Sequence, residues 1–312
     1  MVKSKTKVSI IILTINSLKM IKAELLDLKS LNAKGLDVTC IVVDNGSNDE
    51  TQKSLLNIKL PNMKYKFIET GSNLGFAEGN NVGIKYALSQ KNEFILILND
   101  DMILSPNLLI ELVDFMTSNS EVGIVSPKIY FAKNHEFHRD RYKENEKGKV
   151  IWYAGSKVDW DNVYTNHIGV DIVDKGQFDK VKKVELASGS CMLVRSDVFE
   201  KIGYFDKGLF LYWEDADLCM RTRLAGFDIY YNPMTSVWHK VSASAGGSGG
   251  KSNDYFLIRN RFYFAMRYAT LRTKFAVLRD TVRLSFFGRD WQKLGAKDAL
   301  MGKKGAGPWV KS

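Results

Sequence analysis

Phe94-Ile-Leu-Ile-Leu-Asn-Asp-Asp101 is a short apolar run that stops on three polar residues. An unbroken run of this length suits a strand covered on both faces. Residues 8–13 (VSIIIL) and 39–43 (TCIVV) read the same way, and Lys64–Glu69 is a further strand. Helical stretches fall between them, over about 18–31, from Ser47-Asn-Asp-Glu50, over 80–88, and from Ser105-Pro106. Ser47 can be an N-cap with Glu50 completing a capping box, and Pro106 suits a first helical turn. This βαβα alternation predicts an α/β fold built on a Rossmann-like, doubly wound, mostly parallel sheet. Ligands of such sheets bind beyond the carboxyl ends of the strands. The polar clusters at 14–16, 44–47 and 99–101 all fall at that edge.

Outward from this core the chain changes character. Residues 130–185 read as irregular, 184–238 form a second ordered block, and 243–250 are a Gly/Ser-rich segment, either a linker or a mobile active-site loop. The 312 residues are 45% hydrophobic, enough for one large domain with an appendage. The net charge of +10 is unevenly placed: residues 251–312 hold 14 Lys and Arg against 4 Asp and Glu, and the rest balances. Such a tail favours an anionic surface, lipid or nucleic acid. No nucleic-acid-binding motif accompanies it, so no nucleic acid partner is expected. No apolar run approaches the roughly 18–20 residues of a membrane span. The basic start, MVKSKTK, is followed by no signal-peptide core. A cytoplasmic protein is expected, with three separate cysteines, Cys40, Cys191 and Cys219, as buried thiols.

Several clusters can carry chemistry. Asn99-Asp100-Asp101 puts adjacent carboxylates at a strand end, either as an Asp-rich turn or as ligands of a hard cation, which prefers oxygen donors. Asp44-Asn-Gly-Ser47 is turn chemistry, or a carboxylate set against the imide N–H of a pyrimidine base. Residues 73–80 (NLGFAEGN) are a glycine-containing loop feeding a helix, where the glycines allow close backbone approach of a ligand and the helix start suits phosphate. Trp213-Glu-Asp-Ala-Asp217 sets three carboxylates beside an aromatic; it reads as an acidic helix start, or as a general base beside a sugar-stacking ring. On its residues alone, His239 in Val237-Trp-His239 reads as structural.

Taken in order, LTIN (13–16), VDNGS (43–47), NLGFAEGNN (73–81), LNDD (98–101), ASG (187–189), GYFD (203–206), WEDADLCMR (213–221) and VWH (237–239) closely resemble family 2 of the inverting glycosyltransferases, which have the GT-A fold, and most of all its rhamnosyltransferase-like branch. The resemblance spans about residues 7–270. It implies a catalytic domain over 1–242, with a nucleotide-binding half to about 128 and an acceptor half over 129–242. A Gly/Ser-rich loop over 243–252 and an amphipathic basic helical tail over 253–312 follow. The family pattern assigns Thr14, Asn16, Asp44, Asn73, Gly75, Asn99 and Asp100 to the nucleotide-sugar, Asp101 and His239 to a divalent cation (Mg²⁺ or Mn²⁺), Asp215 to the general base, and Trp213 and Glu214 to the acceptor. Ile15 stands where many relatives carry an aromatic, which leaves uridine or deoxythymidine open.

The implied reaction moves a sugar from a nucleotide-diphosphate donor, dTDP- or UDP-linked and dTDP-rhamnose first among them, to a saccharide or lipid-linked saccharide acceptor. A UDP-hexose or galactofuranose transferase, and a non-catalytic saccharide- or nucleotide-binding protein, are the alternatives. In the tail, Phe264, Tyr268, Leu271, Phe275, Leu278 and Val282 recur at helical steps, bordered by Arg272, Arg279 and Arg283 on one side and Arg267 and Lys274 on the other. Either this helix packs on the domain, or it attaches the protein peripherally to the anionic inner face of the cell membrane.

Overall fold

In the computed structural model, which describes residues 5–241 and 250–309, the apolar runs form the centre of a ten-stranded sheet. Strand β1 (Thr6–Thr14) leads into helix α1 (Leu18–Lys29), followed by β2 (Leu36–Asp44), α2 (Thr51–Leu55), β3 (Lys64–Glu69), α3 (Gly75–Ser89) and β4 (Phe94–Asn99). Next come β5 (Met102–Leu104), α4 (Leu108–Ser118) and β6 (Val122–Phe131). The second half holds β7 (Ile151–Tyr153), β8 (Ser156–Asp159), β9 (Tyr164–His167), β10 (Lys182–Lys183), β11 (Cys191–Arg195), α5 (Ser196–Ile202), α6 (Glu214–Leu224) and β12 (Asp228–His239). Helices α7 (Lys251–Tyr268), α8 (Leu271–Phe287) and α9 (Asp290–Leu300) follow, with a single 3₁₀ turn at Gly307–Trp309 after them.

The sheet order is β10-β12-β6-β11-β4-β1-β2-β3, with β5 on β12 and β7 on β6. Strands β3, β2, β1 and β4 are parallel, as the βαβα reading requires, and β6 and β12 are a second parallel pair. Antiparallel β11 joins the two sets. The runs at 8–13, 39–43 and 94–98 are covered on both faces, as their lack of alternation predicts. Helix α3 lies so close to β1 that a Cβ on Gly79 would stand 2.6 Å from the Leu13 side chain. All three cysteines are free and buried.

Several expectations need correction. Ser47 and Glu50 make no capping box: α2 begins at Thr51 with no side-chain cap. The backbone N–H groups of Gly46 and Ser47 fold onto Asp44 Oδ1, which pulls Ser47 out of the helix, and its Oγ accepts instead from the N–H of Asn16 at 2.9 Å. Pro106 precedes α4 rather than opening it; its carbonyl accepts from the N–H of Asn32. Residues 130–185 are not wholly irregular, since β7, β8 and β9 lie there. The segment at 243–250 lies, apart from Gly250, outside the described residues.

The tail stripe is not one helix. It breaks at Ala269 and Thr270, where the Thr270 side chain caps α8 by accepting from the N–H of Thr273. Phe264 and Tyr268 belong to α7 and turn inward, whereas Leu271, Phe275, Leu278 and Val282 on α8 are exposed. Arg267 is no solvated border residue: it pairs with Asp206 and Asp217.

Candidate active site

Parallel register sets Thr14 opposite Asp44, and Leu13 opposite Asn99. The polar ends of β1, β2 and β4 therefore share one edge. The Thr14 hydroxyl donates to Asp100 Oδ2 at 2.7 Å. Asp44 is buried; its Oδ1 accepts two backbone N–H bonds, while Oδ2 is buried and has no hydrogen-bond partner among the described residues. A buried carboxylate oxygen left open in this way is suited to a ligand donor. Asn16, left-handed at φ 50°, accepts the N–H of Asn48 on its Oδ1 and so braces the β1 loop against the β2 loop. Asn99 donates to the Ser190 hydroxyl at 3.4 Å.

The 73–75 loop uses its own donors. Asn45, which the sequence reading passed over as a turn residue, accepts the N–H of Leu74 and donates to Asn73 Oδ1 and the Gly75 carbonyl. Asn73 Oδ1 also takes the N–H of Gly75, and the Phe210 carbonyl takes that of Ala77. The N–H groups of Leu74, Gly75 and Ala77 at the start of α3 are thus engaged within the protein, contrary to their reading as a phosphate cradle. Gly75 is required at φ 77° because a Cβ there would stand 2.5 Å from the Phe210 ring. The close approach it permits here is to Phe210.

Strands β5 and β12 pair antiparallel with His239 opposite Met102, which carries His239 to Asp101. His239 Nε2 lies 3.1 Å from Asp101 Oδ1, and both residues are buried. Trp152 meets the imidazole edge-on at 4.6 Å, fixing its plane. Among the described residues no group of three or more His, Cys, Asp or Glu is placed to hold a metal. A pair of protein ligands, one oxygen and one nitrogen, nevertheless fits a hard cation that completes its shell with substrate phosphates and water. Burial, opposed by the Thr14 hydrogen bond and reinforced by Asp101, pushes the Asp100 carboxyl up to about 6.

Glu24 lies in the same charge environment and escaped the sequence reading. It is fully buried on α1, and neither carboxyl oxygen has a hydrogen-bond partner among the described residues. Burial, then the charges of Asp100 and Asp101, hold its carboxyl well above the usual range. The signal was available: Glu24 occupies an inward position of α1 among Ile21, Leu25 and Leu28.

Helix α6 begins with the predicted acidic run. Asp215 Oδ2 accepts from the N–H of Gly189 at 3.1 Å and Oδ1 from that of Ala216 at 2.7 Å. Burial raises the Asp215 carboxyl, and these two hydrogen bonds oppose the rise. Glu214 is buried more deeply; burial and the neighbouring Asp215 hold it well above the carboxylate range. Trp213 offers no open face for a sugar. It is buried against Phe264 of α7, with ring centroids 4.8 Å apart.

The chain enters α6 through three left-handed aromatics, Phe210, Tyr212 and Trp213. Non-glycine residues there cost about 1–3 kcal/mol each and persist only when their surroundings impose them. Asn260 and Arg259 of α7, both fully buried, bind this loop by its carbonyls, and Tyr268 and Arg267 bind Asp217. Sequence reading gave none of these residues a part in holding this loop or Asp217, since their partners lie about fifty positions earlier.

Carboxylates gathered at the open edge of a parallel sheet, with a separate carboxylate on a helix start held by Gly189, next to the Ser190 that bonds Asn99, suit an enzyme that transfers a group from a phosphate-bearing donor. Solved structures share this architecture. The mannosyltransferase PcManGT from Pyrobaculum calidifontis, in complex with GDP-Man and Mn²⁺, superposes with a TM-score of 0.54 at 17% identity, over 96% of this chain and 75% of that one. The chain belongs to glycosyl transferase family 2, whose model matches residues 9–203. It is 28% identical over 238 residues to the low-salt glycan biosynthesis hexosyltransferase Agl10 of Haloferax volcanii, covering 76% of this chain and 70% of the relative. To the N-acetylglucosaminyl-diphospho-decaprenol L-rhamnosyltransferase of Mycobacterium tuberculosis it is 26% identical over 219 residues, 67% of this chain and 68% of the other. These relatives set it on the family's rhamnosyltransferase-like branch.

Proposed function

We propose that the chain is a metal-dependent inverting hexosyltransferase. Its donor is a nucleoside-diphosphate sugar, with dTDP-rhamnose first and UDP-hexoses second, and its acceptor a saccharide or lipid-linked saccharide. The observation that carries this reading is the approach of His239 Nε2 to Asp101 Oδ1, 3.1 Å apart just beyond the end of β4.

Asp101 and His239 would hold Mg²⁺ or Mn²⁺, which when bound neutralises charge on the departing diphosphate. The remaining work falls to the chain itself. Asp44 Oδ2 accepts the imide N–H of the base, since Oδ1 is already occupied. Asn16, with Ser47 and Asn48, keeps the two nucleoside-side loops in register. Asp215 takes the acceptor's hydroxyl proton. The acceptor oxygen bonds to the anomeric carbon from the face opposite the diphosphate, and the bond to the diphosphate breaks with its electron pair. One displacement inverts configuration and requires no enzyme nucleophile. The hydrogen bonds from Gly189 and Ala216 orient Asp215 for this role.

A screen of donor hydrolysis across nucleotide sugars, with Mg²⁺ or Mn²⁺ and with chelator, tests the reading. Cation-dependent hydrolysis of one donor is expected. Binding of nucleotide with no turnover of any donor, acceptor present or absent, would favour a non-catalytic binding protein.

A further inference from the structure

Helix α8 turns its large side chains outward. Leu271, Phe275, Leu278, Val282 and Phe286 are 74, 70, 37, 41 and 67% exposed, and their spacing puts all five on one stripe. The buried positions of α8 are instead the small residues Thr273, Val277, Thr281 and Ser285. A contiguous apolar patch with a polar rim marks a surface that something else covers.

The charge beside the stripe says what covers it. At 100° per residue, Arg272, Arg279 and Arg283 run along one border, all exposed, and Lys274 lies on the other. Among the described residues none of these four forms an ion pair. Four other cations of the tail behave differently: Arg261, Arg267, Arg289 and Lys303 are each committed to an aspartate. Arg267 ties the tail to Asp206 and Asp217 of the catalytic domain, and Arg261, Arg289 and Lys303 tie the tail to itself, whereas the arginines beside the exposed apolar stripe have no acidic partner among the described residues. The one acid of α8, Asp280, is bound to Arg261.

We propose that α8 is a docking face for an anionic lipid bilayer. The helix lies in the plane of the interface, with its stripe among the acyl chains and its arginines on headgroup phosphates. A second copy of the chain is a poorer occupant. It would cover the stripe but set one arginine row close to another, with no free acid on either border. The membrane inference does not depend on the proposed reaction.

Flotation of the full chain with vesicles of phosphatidylcholine alone, or mixed with phosphatidylglycerol, tests it. Two variants bracket the two contributions: Phe275→Ser with Phe286→Ser, and Arg272→Gln with Arg279→Gln and Arg283→Gln. All five side chains are exposed, so folding is preserved, and thermal melts check this. The wild type is expected to float with the anionic vesicles and to be released by salt. The arginine variant loses roughly a hundredfold in partitioning, at about fivefold per basic residue. The serine variant loses binding even at low salt. Absence of wild-type flotation, equal recovery with both vesicle types, or variants that bind like wild type would overturn the proposal. So would a serine variant that floats normally but sediments as monomer where the wild type is dimeric, which would assign the stripe to a second copy. Donor hydrolysis without vesicles reports on the proposed reaction separately.

Discussion

The side-chain amide of Asn260 donates to the carbonyl of Tyr212 at 2.9 Å, from within α7 into the loop that precedes α6. The same nitrogen approaches the carbonyls of Leu209 and Leu211, each at 2.8 Å. The left-handed aromatics of that loop end at Glu214-Asp215, so α7 sets the start of the helix that carries Asp215.

Asn260→Ala is accordingly expected to destabilise the fold by about 2–4 kcal/mol, since it leaves buried carbonyls without donors. Transfer should fall more than nucleotide affinity, because Asp44 lies on another strand edge. Denaturant melts and calorimetry with a nucleoside diphosphate check this; equal loss of both would show a general effect. For the same reason a chain ending at Gly250 is expected not to fold.

Asp215→Asn is expected to bind nucleotide as the wild type does and to lose transfer by about 10²–10⁴-fold, the usual cost of removing a general base. The amide retains an oxygen that can accept from Gly189 or Ala216, so the helix start should keep its geometry. Transfer within about threefold of wild type would remove Asp215 from the role.

Asp101→Ala and His239→Ala are each expected to abolish the gain in nucleotide-diphosphate affinity that Mn²⁺ provides. Titration calorimetry with and without Mn²⁺ reads this directly. A variant that keeps the full metal effect has lost no ligand.

The sheet edge was legible because each central strand is a pure apolar run ending on residues that a buried sheet would not carry. Thr14, Asp44, Asn99, Asp100 and Asp101 were found that way. His239 was not, because nothing in a lone histidine encodes the β5–β12 pairing that delivers it to Asp101; the family pattern supplied it. Trp213 was read by residue type as a stacking ring, but Phe264, from a helix fifty residues on, covers it. Arg259 counts only toward the tail's charge and Asn260 carries no reading, because their partners are backbone carbonyls, which leave no mark in side-chain sequence. The tail stripe was read as continuous because periodicity alone does not register a break. The capping residue Thr270 was its one local signal.

Acid sensitivity is expected to include a component from His167. Its ring is half-buried, edge-on to Trp152 at 4.6 Å and to Tyr153 at 5.3 Å, with Nδ1 3.2 Å from the Trp152 carbonyl. Burial drives its pKa down to about 4; the Trp152 carbonyl opposes this, and nearby His239 adds to it. In the unfolded chain the group returns to about 6.5. Between those values the unfolded state binds a proton that the native state does not, so stability falls as the pH drops from about 6.5 toward 4. Above that window the contribution is fully present. The raised carboxyls of Asp100, Asp215, Glu214 and Glu24 act in the opposite sense, since their native forms take up protons more readily than the unfolded chain. The bare pH profile therefore mixes both signs, and the difference between wild type and His167→Gln isolates the histidine. Glutamine can still donate to the Trp152 carbonyl but does not titrate. Unfolding free energies of both proteins at pH 7 and pH 5 check this. The wild type should lose more stability than the variant on acidification. A gap between the two that stays constant across this range would mean that His167 is not held neutral by the fold.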